Sequence, residues 1–183
     1  MNPDEIIQIA KALPSMTQVS ERKLLIGLAR EVKPGGTILE LGCLYGGMTA
    51  VLALANPLAQ VISIDNFSWY PKGYALPSPE TVREGLDKLG IKNVTILNQD
   101  TTKVLYAMPS DLLWIDGGHE YKTAKSDLHG FGLQASVIAM HDYTGTNCPE
   151  VTRALNDWLL EHQEWYMESV THSTALLRRF DVT

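Results

Sequence analysis

The chain has 183 residues, a net charge of −6 and a pI near 5.3, with 45% hydrophobic and 20% charged residues. That length fits one domain able to bury a core without disulfides, and the balance is that of a soluble globular protein. Lys and Arg are nowhere denser than in "SERK" and "LRRF", which argues against a nucleic-acid partner, because phosphate neutralisation needs clustered cations.

The opening "MNPDEIIQIAKALP" carries acids early and lacks a basic start, so it reads as a helix and not as a signal peptide. No apolar run reaches the roughly 18 residues that cross a bilayer, so no membrane segment is expected. A cytoplasmic location follows, with Cys43 and Cys148 as reduced thiols, since their spacing is of neither zinc nor redox type.

In chain order, Ile6, Ile7 and Ala10 mark a first helix by their spacing, and Leu24, Leu25 and Leu28 a second that starts at Ser20 with Glu21 behind it. Apolar strand-like runs then occur at 37–41, 61–65, 94–98, 112–116 and 136–141, with helix-like stretches between them. Strands too apolar for a wet face, alternating with helices, predict a parallel sheet covered on both sides. Val151, Ala154, Leu155, Trp158 and Leu159 mark the last helix. Runs at 165–170 and 174–179 are too close for a crossover and predict an antiparallel pair at the sheet edge. The whole chain, 1–183, is read as one domain: a helical segment over 1–34 and a core over 35–183. Residues 66–79 hold three prolines and four aromatics and form a long loop, where a site is often served.

"ILELGCLYGGMT" sets Glu40 near the end of the first strand, followed by Gly42, Gly46 and Gly47 before a helix. Glycines there admit a close ligand, and the helix amino end offers unpaired N–H groups, so a nucleotide-like guest is expected. Cys43 and Leu44 stand where a dinucleotide motif needs a second glycine, which lowers NAD and FAD. Asp65 closes the second strand and Asp100 follows the third, so acids recur at the edge where open sheets bind ligands. The spacing resembles the first motif of class I S-adenosylmethionine-dependent methyltransferases. On that resemblance Gly42 and Gly46 line the methionine part of the cofactor, Glu40 influences its amine, Asp65 holds the ribose hydroxyls and Asp100 the adenine amino group. The fold it implies is a Rossmann-like, doubly wound α/β sheet of seven mostly parallel strands, the last antiparallel, with helices on both faces.

Two further strand ends carry chemistry: "DLLWIDGGHEY" with Asp116 and His119, and "SVIAMHDY" with His141 and Asp142. Asp116, His141 and Asp142 are candidate ligands for one divalent metal. The combination resembles metal-dependent small-molecule O-methyltransferases, nearest to the macrolide-sugar branch and more distantly the catechol type. The resemblance implies magnesium at this site and His119 as the base that takes the substrate proton. His141 stands in place of a carboxylate, which leaves room for manganese, iron or zinc. Before the fifth strand, "GLQASVIAMHD" lacks the family's proline and paired glycines.

The expected function is methyl transfer from S-adenosylmethionine to a hydroxyl of a sugar, polyol or other natural product. The expected partners are a small-molecule substrate, no nucleic acid and no membrane, with a homo-oligomer as one way to complete the pocket. Two other readings stand beside it: a metal-dependent hydrolase or oxygenase-like enzyme without a methyl donor, and a silent binding protein that keeps the cofactor fold. His129, His162 and His172 read as surface or structural residues, Tyr45 and Met48 as helix packing, and Glu120 and Asp127 as solvated helix charges. Trp69, Tyr70 and Tyr74 are either a substrate lid or a packed loop.

Overall fold

A computed structural model describes residues 1–104, 108–144 and 146–180. Seven strands form one sheet: β1 Thr37–Leu41, β2 Gln60–Asp65, β3 Val94–Asn98, β4 Ser110–Ile115, β5 Ala135–Met140, β6 Trp165–Thr171 and β7 Thr174–Arg179. Their order is β3-β2-β1-β4-β5-β7-β6, with β1 to β5 parallel and β7 antiparallel to both β5 and β6. This is the expected Rossmann-like sheet, including the antiparallel pair at its edge.

The helices are α1 Pro3–Ala10, α2 Val19–Glu31, α3 Gly47–Ala55, α4 Pro79–Lys88, α5 Tyr121–Phe131 and α6 Pro149–Glu161. They divide between the sheet's two faces because side chains alternate along each strand. Ile38, Leu112 and Trp114 pack with buried residues of α1 to α4, whereas Leu39, Leu113 and Ile115 pack with those of α5 and α6. Trp114 and Trp158 are fully buried, one in each layer. Each side chain of that kind contributes about 2–3 kcal/mol by leaving water. Among the described residues no helix is long and apolar enough to cross a membrane. Both cysteines are free thiols, and both are buried.

One start differs from expectation. Helix α2 begins at Val19, not Ser20, because Gln18 is its cap: the Gln18 N–H donates to Glu21 Oε2 at 2.8 Å in a capping box. Glutamine is an uncommon cap, so the more usual Ser20 drew the boundary one residue late.

The position of β1 between β2 and β4 matters for function. Its neighbours β2 and β4 carry the chain off in opposite directions, and the crevice this leaves at the strands' carboxyl ends is where ligands bind in open sheets. Every candidate residue from Glu40 to Asp142 lies at that edge.

Candidate active site

The glycine turn joins two strand ends. Gly42 has φ +89°, a left-handed backbone, and a Cβ there would strike the carbonyl of Asp116. The backbone beyond β1 therefore runs against the end of β4. Gly46 caps α3 with φ +82° and leads its free N–H groups toward the same edge. Asp65 holds the turn in place: Oδ2 accepts from the N–H of Cys43 and of Leu44, both at 2.8 Å, and Oδ1 from Phe67 N at 2.7 Å. A carboxylate has about four acceptor sites, so these three bonds leave Asp65 room for one more partner.

Glu40 is buried and accepts from Thr49 Oγ1 at 2.6 Å and from Ser63 Oγ. Its Oε1 is buried without a partner. Burial pushes its carboxyl up to about 8, against the pull of the two hydroxyls. Asp100 sits further out as the cap of a single 3-10 turn at Thr101–Lys103, accepting from Thr102 N at 3.0 Å and pairing with Lys103 Nζ at 2.8 Å. Lys103 and Thr102 lower it to about 2.

The second group forms because β4 and β5 are neighbours in register, Ile115 opposite Met140. The ladder continues one step: Asp116 N donates to Leu41 O at 2.8 Å and His141 N to Ile115 O at 2.9 Å, setting Asp116 and His141 side by side. Asp142 then turns back with φ +60°, a left-handed conformation that aspartate tolerates better than most residues. As a result His141 Nδ1 lies 3.3 Å from Asp116 Oδ1 and 3.1 Å from Asp142 Oδ2. The same Asp142 oxygen is 3.0 Å from His119 Nε2.

The donor set fits a divalent cation. One ligand atom each from Asp116, His141 and Asp142 lies within 4.8 Å of the others, and His141 Nδ1 is buried with no hydrogen bond of proper geometry. Two carboxylates and a neutral imidazole suit manganese, iron or zinc as well as magnesium. Burial opposes a positive charge on this imidazole, but Asp116, Asp142 and Glu21 raise His141 to about 12. The imidazoles of His119 and His141, close against it, hold Asp142 well below the carboxylate range, and Asp142 in turn raises His119. His119 is half exposed at the mouth, its side chain 51% accessible.

Three residues here had been given no part in the site by sequence. Glu21 of α2 has no exposed surface and lies beneath His141, 3.3 Å from its Nε2. Glu21 Oε1 also accepts from Ser173 N at 3.2 Å, Ser173 Oγ at 2.8 Å and Thr174 Oγ1 at 2.9 Å. Burial would raise its carboxyl, but His141 and these donors hold it far below the usual range. Cys148, the cap of α6, places Sγ 3.3 Å from His119 Nδ1. Asp127 corrects an expectation: it is not a solvated charge but fully buried, its Oδ2 3.3 Å from where a Cβ on Gly117 would sit. Burial pushes it up to about 6. Its position with Ala124, Leu128 and Phe131 on the buried side of α5 was the available signal. Glu120 is exposed as expected.

The remaining expectations divide. Met48 is buried in α3, but Tyr45 lies in the turn before that helix: its hydroxyl donates to Ala75 O at 2.6 Å and its ring lies 5.7 Å from Tyr74. Trp69, Tyr70 and Tyr74 are exposed on the 66–79 loop. His129 is exposed, and His162 packs on Trp158.

A family model described as "Methyltransferase domain" matches residues 39–143, more than half of the chain, from the first strand through the "HDY" end of the fifth. No curated protein matches the chain in sequence. Among solved structures, the O-methyltransferase NovP superposes with a TM-score of 0.73 at 18% identity, over 90% of this chain and 81% of its own. The apo structure of CalS11, a TDP-rhamnose 3'-O-methyltransferase of calicheamicin biosynthesis, gives 0.64 at 18% identity, over 88% and 78%. At such identities the likeness is one of fold.

Proposed function

The chain belongs to the methyltransferase-domain family and is an S-adenosylmethionine-dependent methyltransferase; from that premise we propose that it methylates a hydroxyl of a small molecule, a sugar or polyol, with a divalent cation at Asp116, His141 and Asp142 and His119 as general base. The observation that carries this reading is the convergence of those three donors beside the glycine turn, with His119 3.0 Å from the shared Asp142 oxygen.

A cation held there would act as a Lewis acid toward the acceptor hydroxyl, lowering its pKa. The chain's own residues do the rest. Gly42 and Gly46 open the turn to the methionine portion of the donor, and Glu40, buried with Oε1 unpartnered, offers an acceptor to its ammonium group. Asp65 keeps the turn in shape and has one acceptor site left for a ribose hydroxyl. Asp142 orients His119 and raises its affinity for a proton, the property that removal of a hydroxyl proton requires. Once that proton is on His119, the acceptor oxygen attacks the methyl carbon in line and the carbon–sulfur bond breaks. No covalent bond to the protein is needed, so rate comes from positioning and electrostatics. The hydrolase alternative makes no use of the glycine turn. NovP and CalS11 bear the names of O-methyltransferases, and the second that of a sugar enzyme, which supports the choice of acceptor class.

The test is transfer of a labelled methyl group from S-adenosylmethionine to a panel of nucleotide sugars, free polyols and catechols, with manganese or with chelator. Label on a hydroxyl oxygen of a sugar or polyol, lost in chelator, is the expected result. Label on nitrogen or carbon, or full transfer in chelator, overturns the proposal.

A further inference from the structure

The ring of His119 touches both Cys148 and Asp142: thiol sulfur to Nδ1 at 3.3 Å, and Nε2 to carboxylate at 3.0 Å. The connectivity is that of a nucleophile, a base and an orienting acid. A cysteine nucleophile needs a thiolate, however, and here burial and the nearby Asp142 charge push the thiol up. What the three groups do offer is a donor set. One ligand atom from each lies within 4.8 Å of the others, which spans a single cation with bonds of about 2.0–2.3 Å to N, O and S. The cysteine is 9% exposed and caps a helix through its backbone, so the sulfur is held at this place and does not roam the surface. His119, by contrast, is half exposed and gives a cation a way in.

We propose that Cys148, His119 and Asp142 constitute a zinc-type site, overlapping the Asp116, His141 and Asp142 donors at Asp142 alone, whose occupation inhibits the enzyme. Sulfur, imidazole nitrogen and one carboxylate are the ligands of a borderline-soft cation, and a hard oxygen-seeking ion such as magnesium has no reason to choose them. Three protein donors leave the fourth tetrahedral position to water. On binding, a zinc–sulfur bond forms and the thiol proton leaves to solvent, so each zinc taken up releases that proton. The inhibitory consequence rests on the function proposed above: zinc on His119 removes the lone pair that would take the substrate proton, and it draws Asp142 away from the first donor set. The binding claim itself does not depend on that function. A second cluster, His129, Glu161 and His162, also lies within ligand distance. It has no sulfur, and Lys125 already holds Glu161 at 2.6 Å.

Cobalt(II) is the probe, because a thiolate bound to it gives a near-ultraviolet charge-transfer band that nitrogen and oxygen ligands do not. Titration into the full chain in excess magnesium should give this band, saturating at one cobalt per chain, erased by zinc and absent from Cys148→Ser. No band in the wild-type chain, or the same band in Cys148→Ser, overturns the proposal. Should Cys148→Ser fold poorly, alkylation of the wild-type chain reads the same point: zinc should slow modification of Cys148 at least about tenfold relative to magnesium, with Cys43 as the internal reference, and equal rates overturn it. Neither measurement uses a methyl donor, so a failure here is distinct from a failure of the function. With that function in hand, zinc should inhibit the wild-type chain at concentrations that leave Cys148→Ser at its own zinc-free rate.

Discussion

The imidazole of His141 lies 3.3 Å from the carboxylate of Glu21, a residue with no exposed surface placed 120 positions earlier in the chain. This contact ties helix α2 to the end of β5, and through Ser173 and Thr174 to the start of β7. Glu21 thus fixes the side of the ring that faces away from Asp116 and Asp142. When a histidine serves as a ligand, such a contact on its far nitrogen sets which nitrogen is free, and here it leaves Nδ1 for the site.

Removing Glu21 should therefore destabilise the fold. Glu21→Ala strands four donors and the His141 ring in a buried place, and a loss of about 3 kcal/mol is expected in urea denaturation. Glu21→Gln keeps an acceptor oxygen and should lose about half as much. An alanine variant within about 0.5 kcal/mol of wild type would show that the network adds nothing.

His119 should matter for turnover and little for the fold, because its side chain is half exposed and its polar contacts among the described residues are with Asp142 and Cys148. His119→Ala should lower kcat about 100-fold or more while the affinity for S-adenosylhomocysteine, read by calorimetry, stays within about twofold. Parallel loss of both would remove His119 from the role of base.

Gly42 tests the join between the two halves of the site. Gly42→Ala puts a methyl against the Asp116 carbonyl at a backbone angle that alanine rarely adopts, so a loss of about 2–3 kcal/mol is expected. Donor binding should weaken with it, and Gly35→Ala, also at positive φ but in open space, is the control for angle alone. Equal effects from the two would mean that the contact with Asp116 carries no weight.

Glu40 predicts a pH dependence. Its carboxyl is pushed from an ordinary 4.5 up to about 8 in the fold, so between these values the folded chain keeps a proton that the unfolded chain has released. Stability must then fall as pH rises through that window. Asp127, raised to about 6, adds the same sign in its lower part. Glu40→Gln should flatten the slope between mildly acid and mildly alkaline pH in denaturation midpoints. Parallel slopes in wild type and variant would assign the carboxyl an ordinary titration.

Much of the architecture could be read from the chain because each parallel strand is an apolar run that stops at a polar residue: "LLWID" ends at Asp116 and "VIAMH" at His141. Register then does the rest, since neighbouring parallel strands of similar length must bring their ends together. Glu21 was hidden for the opposite reason. It belongs to a polar helix start, and only the placement of the ends of β5 and β7 beside α2 sets it under His141. Asp127 was misread because charge was given more weight than position, although it shares a helical face with Ala124, Leu128 and Phe131. Cys148 has no metal-type spacing with His119, 29 residues away, and its sulfur reaches that ring only through the placement of α6 on α5.

The central claim is that Asp116 and Asp142 hold one cation between them at the edge where the methyl donor binds. Manganese titration by calorimetry or electron paramagnetic resonance, in the presence of S-adenosylhomocysteine, tests it most directly. The account predicts one strong manganese site per chain, lost in both Asp116→Asn and Asp142→Asn while S-adenosylhomocysteine still binds. A wild-type chain that takes up no manganese, or variants that bind it as wild type does, would contradict it.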